Sequence, residues 1–238
     1  MRIAGPLAYV SLLLLGCEAP GEKQAVPFRA AAVVAASKAA TGGSAWDRLD
    51  GCYEEGTHAD GAIPYKTWFS FRRYGMRVES RRGDATRAMG FNGKASWQAA
   101  GEGAAQVGSE PEALQEAIVT AYLTNNGFYF PDRFPARFRH AREAVEGGRI
   151  FDVVEIAPEG GRPLQFWFDR STRLIDRVVD TRGTPPVTVK AGDYRRVGGV
   201  TVAFALTVVA PDGKEIDRGR VTSLRCGSVD EALFDPPR

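Results

Sequence analysis

The sequence predicts a mainly β fold built on an antiparallel sheet. Three observations carry this. Strand-like runs recur at roughly even spacing from Gly51 to Arg225, the turns between them are short and rich in glycine, and helix-period segments are few. Strands joined by tight turns pair antiparallel, because a parallel crossover needs a dozen or more residues. The 27 glycines and 14 prolines are enough to punctuate many such turns. About 200 residues in one domain bury roughly 70% of their unfolded surface, so neither a metal nor a disulfide is required for stability.

The elements follow in order. Met1-Arg2 gives a positive start, and Leu7 to Leu15 is an apolar run ending at Gly16-Cys17. A charged start, a short apolar core and a small residue before the break describe a secretory signal over residues 1–16. The run falls short of the roughly 20 apolar residues that span a bilayer. Leu14-Leu15-Gly16-Cys17 resembles the bacterial lipobox, whose cysteine is acylated, so Cys17 is the expected lipidation site; a smaller residue is more usual where Leu15 stands. The alternatives are an ordinary signal cleaved near Ala19 and a buried apolar helix. Glu18, rather than an aspartate, follows the cysteine, which leans toward the outer membrane over the inner.

Residues 17–29 read as a tether, and residues 30–238 as a single β domain. Ala30 to Ala40 is alanine-rich and stops at Gly42-Gly43, which predicts a helix. Strands are expected near Gly51 to Thr57, Tyr65 to Phe71, Arg77 to Arg81 and Thr86 to Gly90, with a tight turn at Asn92-Gly93. Pro111 to Leu123 spaces Ala113, Leu114, Ala117, Ile118, Ala121 and Tyr122 as a helix does, with Ser109 and Glu112 as a capping box. Phe128 to Phe138 reads as an irregular loop or short helix. Further strands are expected at Ile150 to Ile156, Leu164 to Phe168, Leu174 to Asp180, Val187 to Tyr194, Thr201 to Val209 and Glu215 to Arg225.

Alternation tells which face of a strand is dry. Val202, Phe204, Leu206 and Val208 share one face; Phe69 and Phe71 share another while Trp68 points away; Leu164, Phe166 and Phe168 leave Trp167 on the far side. Several strands therefore carry apolar surface on both sides, where a sheet wet on one face does not. A cavity, a partner and loops packed over the tryptophans are three accounts of it. Once Cys17 is set aside, Cys52 and Cys226 remain, and an exported chain with an even pair invites a disulfide. Two separate buried thiols are the alternative.

Chemistry-bearing motifs are scarce. The net charge is +2, from 31 basic and 29 acidic residues, which gives no footprint for a nucleic acid. Neither of the 2 histidines, His58 and His140, has metal-ligand spacing. The sequence has no Gly-x-Ser-x-Gly elbow, phosphate loop or dinucleotide fingerprint, and Arg182 breaks the Asp-Thr-Gly likeness of Asp180-Thr181-Arg182-Gly183. The expectation is no enzyme, no metal and no cofactor. Arg133, Arg137, Arg139 and Arg142, interleaved with Phe134 and Phe138, read as a solvated face or as a contact for anionic headgroups or an acidic partner.

Several segments together carry a resemblance. They are Ala45-Trp46-Asp47, Gly90-Phe91-Asn92-Gly93-Lys94-Ala95-Ser96-Trp97, Ala121-Tyr122-Leu123, the stretch Pro158 to Pro163 with Phe166-Trp167-Phe168-Asp169, Asp193 to Val200, and Phe234-Asp235-Pro236-Pro237. Over roughly residues 44–236 the chain resembles the β domain found ahead of retropepsin-like aspartyl protease domains in some proteobacteria. That domain is similar to the periplasmic lipoprotein-sorting (Lol-type) carriers and receptors. The family pattern has aspartate where Asn92 stands, and no protease domain follows before Arg238. The resemblance implies a curved antiparallel sheet forming an unclosed β-barrel, with helices covering or plugging its concave face. It implies a periplasmic, lipid-anchored protein whose hollow, lined by Phe69, Phe71, Tyr122, Phe166, Phe168, Phe204 and Leu206, binds lipid or lipoprotein acyl chains. The other reading is a non-enzymatic module that docks a periplasmic protease or another envelope protein.

Overall fold

A computed structural model describes residues 25–101, 103–108 and 110–237. Residues 1–24 and Ser109 lie outside them, so the expected signal, most of the expected tether, the expected lipidation site Cys17 and the expected capping serine do too. The elements are α1 (Ala25–Ala40), β1 (Gly51–His58), β2 (Ile63–Ser70), β3 (Met76–Arg82), β4 (Ala85–Phe91), β5 (Ser96–Ala100) and β6 (Gln106–Gly108), then α2 (Pro111–Thr124). After α2 come β7 (Ala136–Glu146), β8 (Arg149–Pro158), β9 (Leu164–Asp169), β10 (Ile175–Asp180), β11 (Val187–Val197), β12 (Val200–Val209) and β13 (Glu215–Gly227).

These strands form one antiparallel sheet in the order β6-β5-β4-β3-β2-β1-β13-β12-β11-β10-β9-β8-β7. The order is two meanders stitched at one seam. The chain starts at the centre with β1 and steps outward to β6. It then crosses through α2 to the opposite edge at β7 and steps back until β13 pairs with β1. The sheet is curved and does not close into a barrel: β6 and β7 remain separate edges, yet α2 touches β4 and β5 near one edge and β8 near the other. A helix about 10 Å across can reach both ends only if the sheet curls around it. Ladder irregularities at Glu55/Gly56, His140/Arg142 and Val208/Val209 supply bending points.

Turn chemistry sets the registers. Gly147-Gly148 and Gly198-Gly199 make two-residue hairpins, and all four have positive φ, as this turn type requires. Asn92 Oδ1 accepts from the Lys94 and Ala95 amides and closes the β4–β5 turn. Helix α1 begins at Ala25, earlier than the expected Ala30, because Ala25 to Arg29 offer no breaker except Pro27, which a first turn tolerates. At α2, Pro111 opens the helix behind Glu110, whose side chain makes no capping bond.

Two strands depart from the sequence reading. The short β6 and most of β7 lie where no strand was expected, and β7 also takes the last three residues, Ala136 to Phe138, of the expected loop at Phe128 to Phe138. The bulge at His140/Arg142 breaks the alternation of β7, and the strand carries Arg137, Arg139 and Arg142. Both features suit an edge strand that must not pair with other chains. The basic stretch is thus partly this edge: Arg139 pairs with Glu155, and Arg142 covers Trp167.

Arginine also explains the apolar outer face. Trp167 lies beneath the guanidiniums of Arg177 and Arg142, at 4.1 and 5.2 Å, and packs against Phe151. Trp68 packs on Tyr53, which Arg225 covers at 5.1 Å. The planar guanidinium heads of these arginines lie over the rings and supply the cover. Farther along, Trp97 is shielded by the C-terminal segment: its Nε1 donates to the Phe234 carbonyl at 2.7 Å, and Asn92 Nδ2 donates to Asp235. Two of the distant resemblance motifs are therefore one latch. Phe234→Ala, which empties a fully buried ring site, is expected to lower stability by about 3–5 kcal/mol in denaturant unfolding. A cost under about 1 kcal/mol would show that the segment only drapes over Trp97.

Candidate functional site

The concave face builds the candidate site. Cys52 and Glu54 of β1, Tyr65, Thr67 and Phe69 of β2, Val78 of β3 and Leu224 and Cys226 of β13 point inward there. From the other side come Phe166 of β9, Val178 of β10, Ala191 of β11 and Leu206 of β12. They enclose a cavity of about 380 Å³, mostly apolar in its lining. Ligand pockets start at roughly 300 Å³, so the hollow is large enough to hold part of an apolar chain.

Its rim is set by a buried polar cluster. Ser37 and Thr41 at the end of α1 meet the Tyr129 hydroxyl at 2.8 and 3.3 Å, and Trp46 Nε1 donates to Thr41 Oγ1 at 3.0 Å. This holds the 3₁₀ turn Gly43–Arg48 against the 3₁₀ turn Gly127–Tyr129, and Phe71 and Phe130 pack around the Trp46 ring. Burial pushes the Tyr129 phenol well above its ordinary range, despite the Ser37 and Thr41 bonds.

Helix α2 plugs the open side. Tyr74 donates to the Ile118 carbonyl at 3.2 Å. Arg162, in the β8–β9 turn, binds Asp180 at 2.5 Å through Nη2 and reaches Glu116 of α2 at 2.6 Å. The Asp180 that superficially resembled a protease aspartate is thus a buried ion-pair partner. A second ionic group ties α1 to the sheet. Arg170 grips Asp152 through two bonds of 2.9 and 2.7 Å, with His140 at 3.3 Å and Arg29 at its edge. Burial raises the Asp152 carboxyl, but these bonds outweigh it and hold the group at about 2.

Of the seven expected lining residues, Phe69, Phe71, Phe166 and Leu206 meet at the cavity. Phe168 packs in the core, stacked on Phe166 with ring centroids 6.3 Å apart. Tyr122 of α2 is fully buried against Phe128, and among the described residues its hydroxyl has no hydrogen-bond partner. Phe204 is buried outside the main core cluster, under the Arg195 guanidinium at 4.7 Å. The expected four-residue face of β12 is broken opposite Asp193, which has a positive φ; there Ala203 and Leu206, of opposite parity, both reach the cavity. Phe128, Tyr194 and Glu54 line it without having been singled out in the sequence. Glu54 was findable, because it shares the parity of Cys52 on β1.

Cys52 and Cys226, register partners on β1 and β13, form a disulfide across the seam. Among the described residues no group of three or more His, Cys, Asp or Glu gathers as a metal site, and no helix is long and apolar enough to cross a membrane.

No protein-family model and no curated protein matches the chain. Solved structures do. A protein described as an outer membrane lipoprotein-sorting domain, from Vibrio parahaemolyticus, superposes with a TM-score of 0.57 at 12% identity, over 88% of this chain and 97% of its own. A LolA superfamily protein from Nitrosomonas europaea gives 0.52 at 13% identity, over 82% and 97%. The chain has a LolA-like fold. A DUF1329 family protein from Desulfovibrio piger has the same shape, with a TM-score of 0.58 at 12% identity, over 88% of this chain and 97% of its own. LolA-like sheets can thus keep their shape at this identity, with positions such as Phe166 and Leu206 supplying an apolar interior to this one.

Proposed function

We propose that the protein is an envelope component that shelters lipid or lipoprotein acyl chains in its concave cavity. The observation that carries this reading is the apolar hollow walled by Phe69, Phe71, Phe166 and Leu206 under α2. Burial of chain methylenes there contributes roughly 25 cal/mol per Å² before ordering costs. No catalytic constellation enters the reading, and no cofactor is required. Export by the N-terminal segment and acylation at Cys17 complete it, placing the domain in the periplasm and tethered to a membrane, the outer one by the identity of Glu18. The likeness of the fold to lipoprotein-sorting domains supports this reading.

The test is displacement of an environment-sensitive apolar dye, 1-N-phenylnaphthylamine, from purified mature protein. Leu206→Trp places a ring in the hollow opposite Ala191 and is expected to weaken dye binding at least about tenfold, equivalent to about 1.4 kcal/mol, with the thermal midpoint kept. Equal binding by the two proteins, or none by the native one, would overturn the reading.

A further inference from the structure

The cavity is not uniformly apolar. Glu54 sits near the middle of β1, on the strand at the seam, and its side chain reaches the cavity wall. The Tyr65 hydroxyl donates to Glu54 Oε1 at 2.8 Å. Gly56 makes room for this, since a Cβ there would lie 2.4 Å from the Tyr65 hydroxyl. Among the described residues no other side-chain hydrogen bond and no ion pair reaches Glu54. Among the described residues no lysine or arginine lines the cavity. At the same end the His58 ring lies 4.7 Å from that of Tyr65, and its Nδ1 is 2.9 Å from Asp217. One end of an apolar hollow therefore carries a carboxyl; His58, which also lines that end, is engaged with Asp217, and among the described residues no lysine or arginine of the lining balances Glu54.

We infer that Glu54 makes this cavity selective for apolar chains whose polar end donates a hydrogen bond, an amine or a hydroxyl, over chains ending in a carboxylate, sulfate or phosphate. The inference rests on the cavity being a chain-binding site. A donor at the chain end bonds the second Glu54 oxygen, and an ammonium also supplies the missing counter-charge. An anionic end meets a like charge, with no lysine or arginine in the lining to neutralise it. Burial raises the Glu54 carboxyl above the usual range, more than the Tyr65 bond lowers it, so the discrimination is expected on the alkaline side, where the group is ionised, and to fade as the pH falls.

Three probes of one chain length separate the possibilities: dodecylamine, dodecanol and dodecanoate, each below its micelle concentration, titrated at one fixed pH. The native protein is expected to bind dodecylamine about tenfold more tightly than dodecanoate, with dodecanol between them. Glu54→Gln keeps the shape and an acceptor for Tyr65 but removes the charge. It is expected to shrink the amine-to-carboxylate ratio to within about threefold while leaving dodecanol affinity nearly unchanged, because a hydroxyl can accept from the Gln amide where it donated to the Glu54 oxygen. Equal native affinity for amine and carboxylate, or an undiminished ratio in Glu54→Gln, overturns the selectivity while the chain-binding reading stands. Failure of all three probes to bind overturns both.

Discussion

Removing the disulfide, by Cys52→Ala with Cys226→Ala, is expected to lower stability by about 5 kcal/mol. The two cysteines are 174 residues apart, and closing so long a loop in the unfolded chain carries a correspondingly large entropic effect. For a domain of about 200 residues, each kcal/mol moves the thermal midpoint by roughly 2–4 °C, so the drop is expected to be about 10–20 °C. Calorimetry of the native and doubly substituted proteins measures it, and reductant should lower the native midpoint similarly while leaving the variant unmoved. A shift of under about 3 °C would show that the β1–β13 ladder holds the seam unaided.

Arg162→Met should produce the second large effect. Arg162 and Asp180 are both buried, and Arg162 also holds Glu116 of α2. Removing the cation strands the Asp180 carboxylate in a dry setting, which costs about 3 kcal/mol. The double variant Arg162→Met, Asp180→Leu should recover much of that loss, because the stranded charge is gone. The plug itself should loosen in both proteins. Hydrogen exchange in α2 is expected to quicken, and the apolar dye to enter faster, even where global stability is restored. Unchanged exchange in α2 would place its retention in the packing of Ile118 and Val119 rather than in this ion pair.

The sheet was readable in the sequence where turn chemistry was strong. Asn92-Gly93 marks the β4–β5 hairpin that the structure contains. β7 was unreadable because a bulge interrupts its period of two and because its arginines, which guard an edge, mimic the composition of a loop. The apolar outer face was seen correctly, but its cover was not. Sequence alternation shows that Trp167 points away from the core, whereas its cover comes from Arg177 and Arg142, and Arg177 is remote in the chain from β7 and its Arg142. Within the site, parity placed Phe69 of β2 and Phe166 of β9 on the inward face, but it did not separate Phe166, at the cavity, from Phe168, packed in the core behind it. Phe204 was not legible, since the twist opposite Asp193 changes which β12 residues face inward. Glu54 was passed over because a lone carboxylate on a strand ordinarily faces water; only the inward position of Cys52 marks its direction.

The seam between the two meanders also decides how the protein answers a mechanical load. Pulled from its two ends, the oxidised chain can lengthen only by the stretches before Cys52 and after Cys226. Everything between them, the hollow and its plug included, lies inside a covalent ring and stays slack. Reduction opens that ring and lets the same tension peel the sheet from its middle outward.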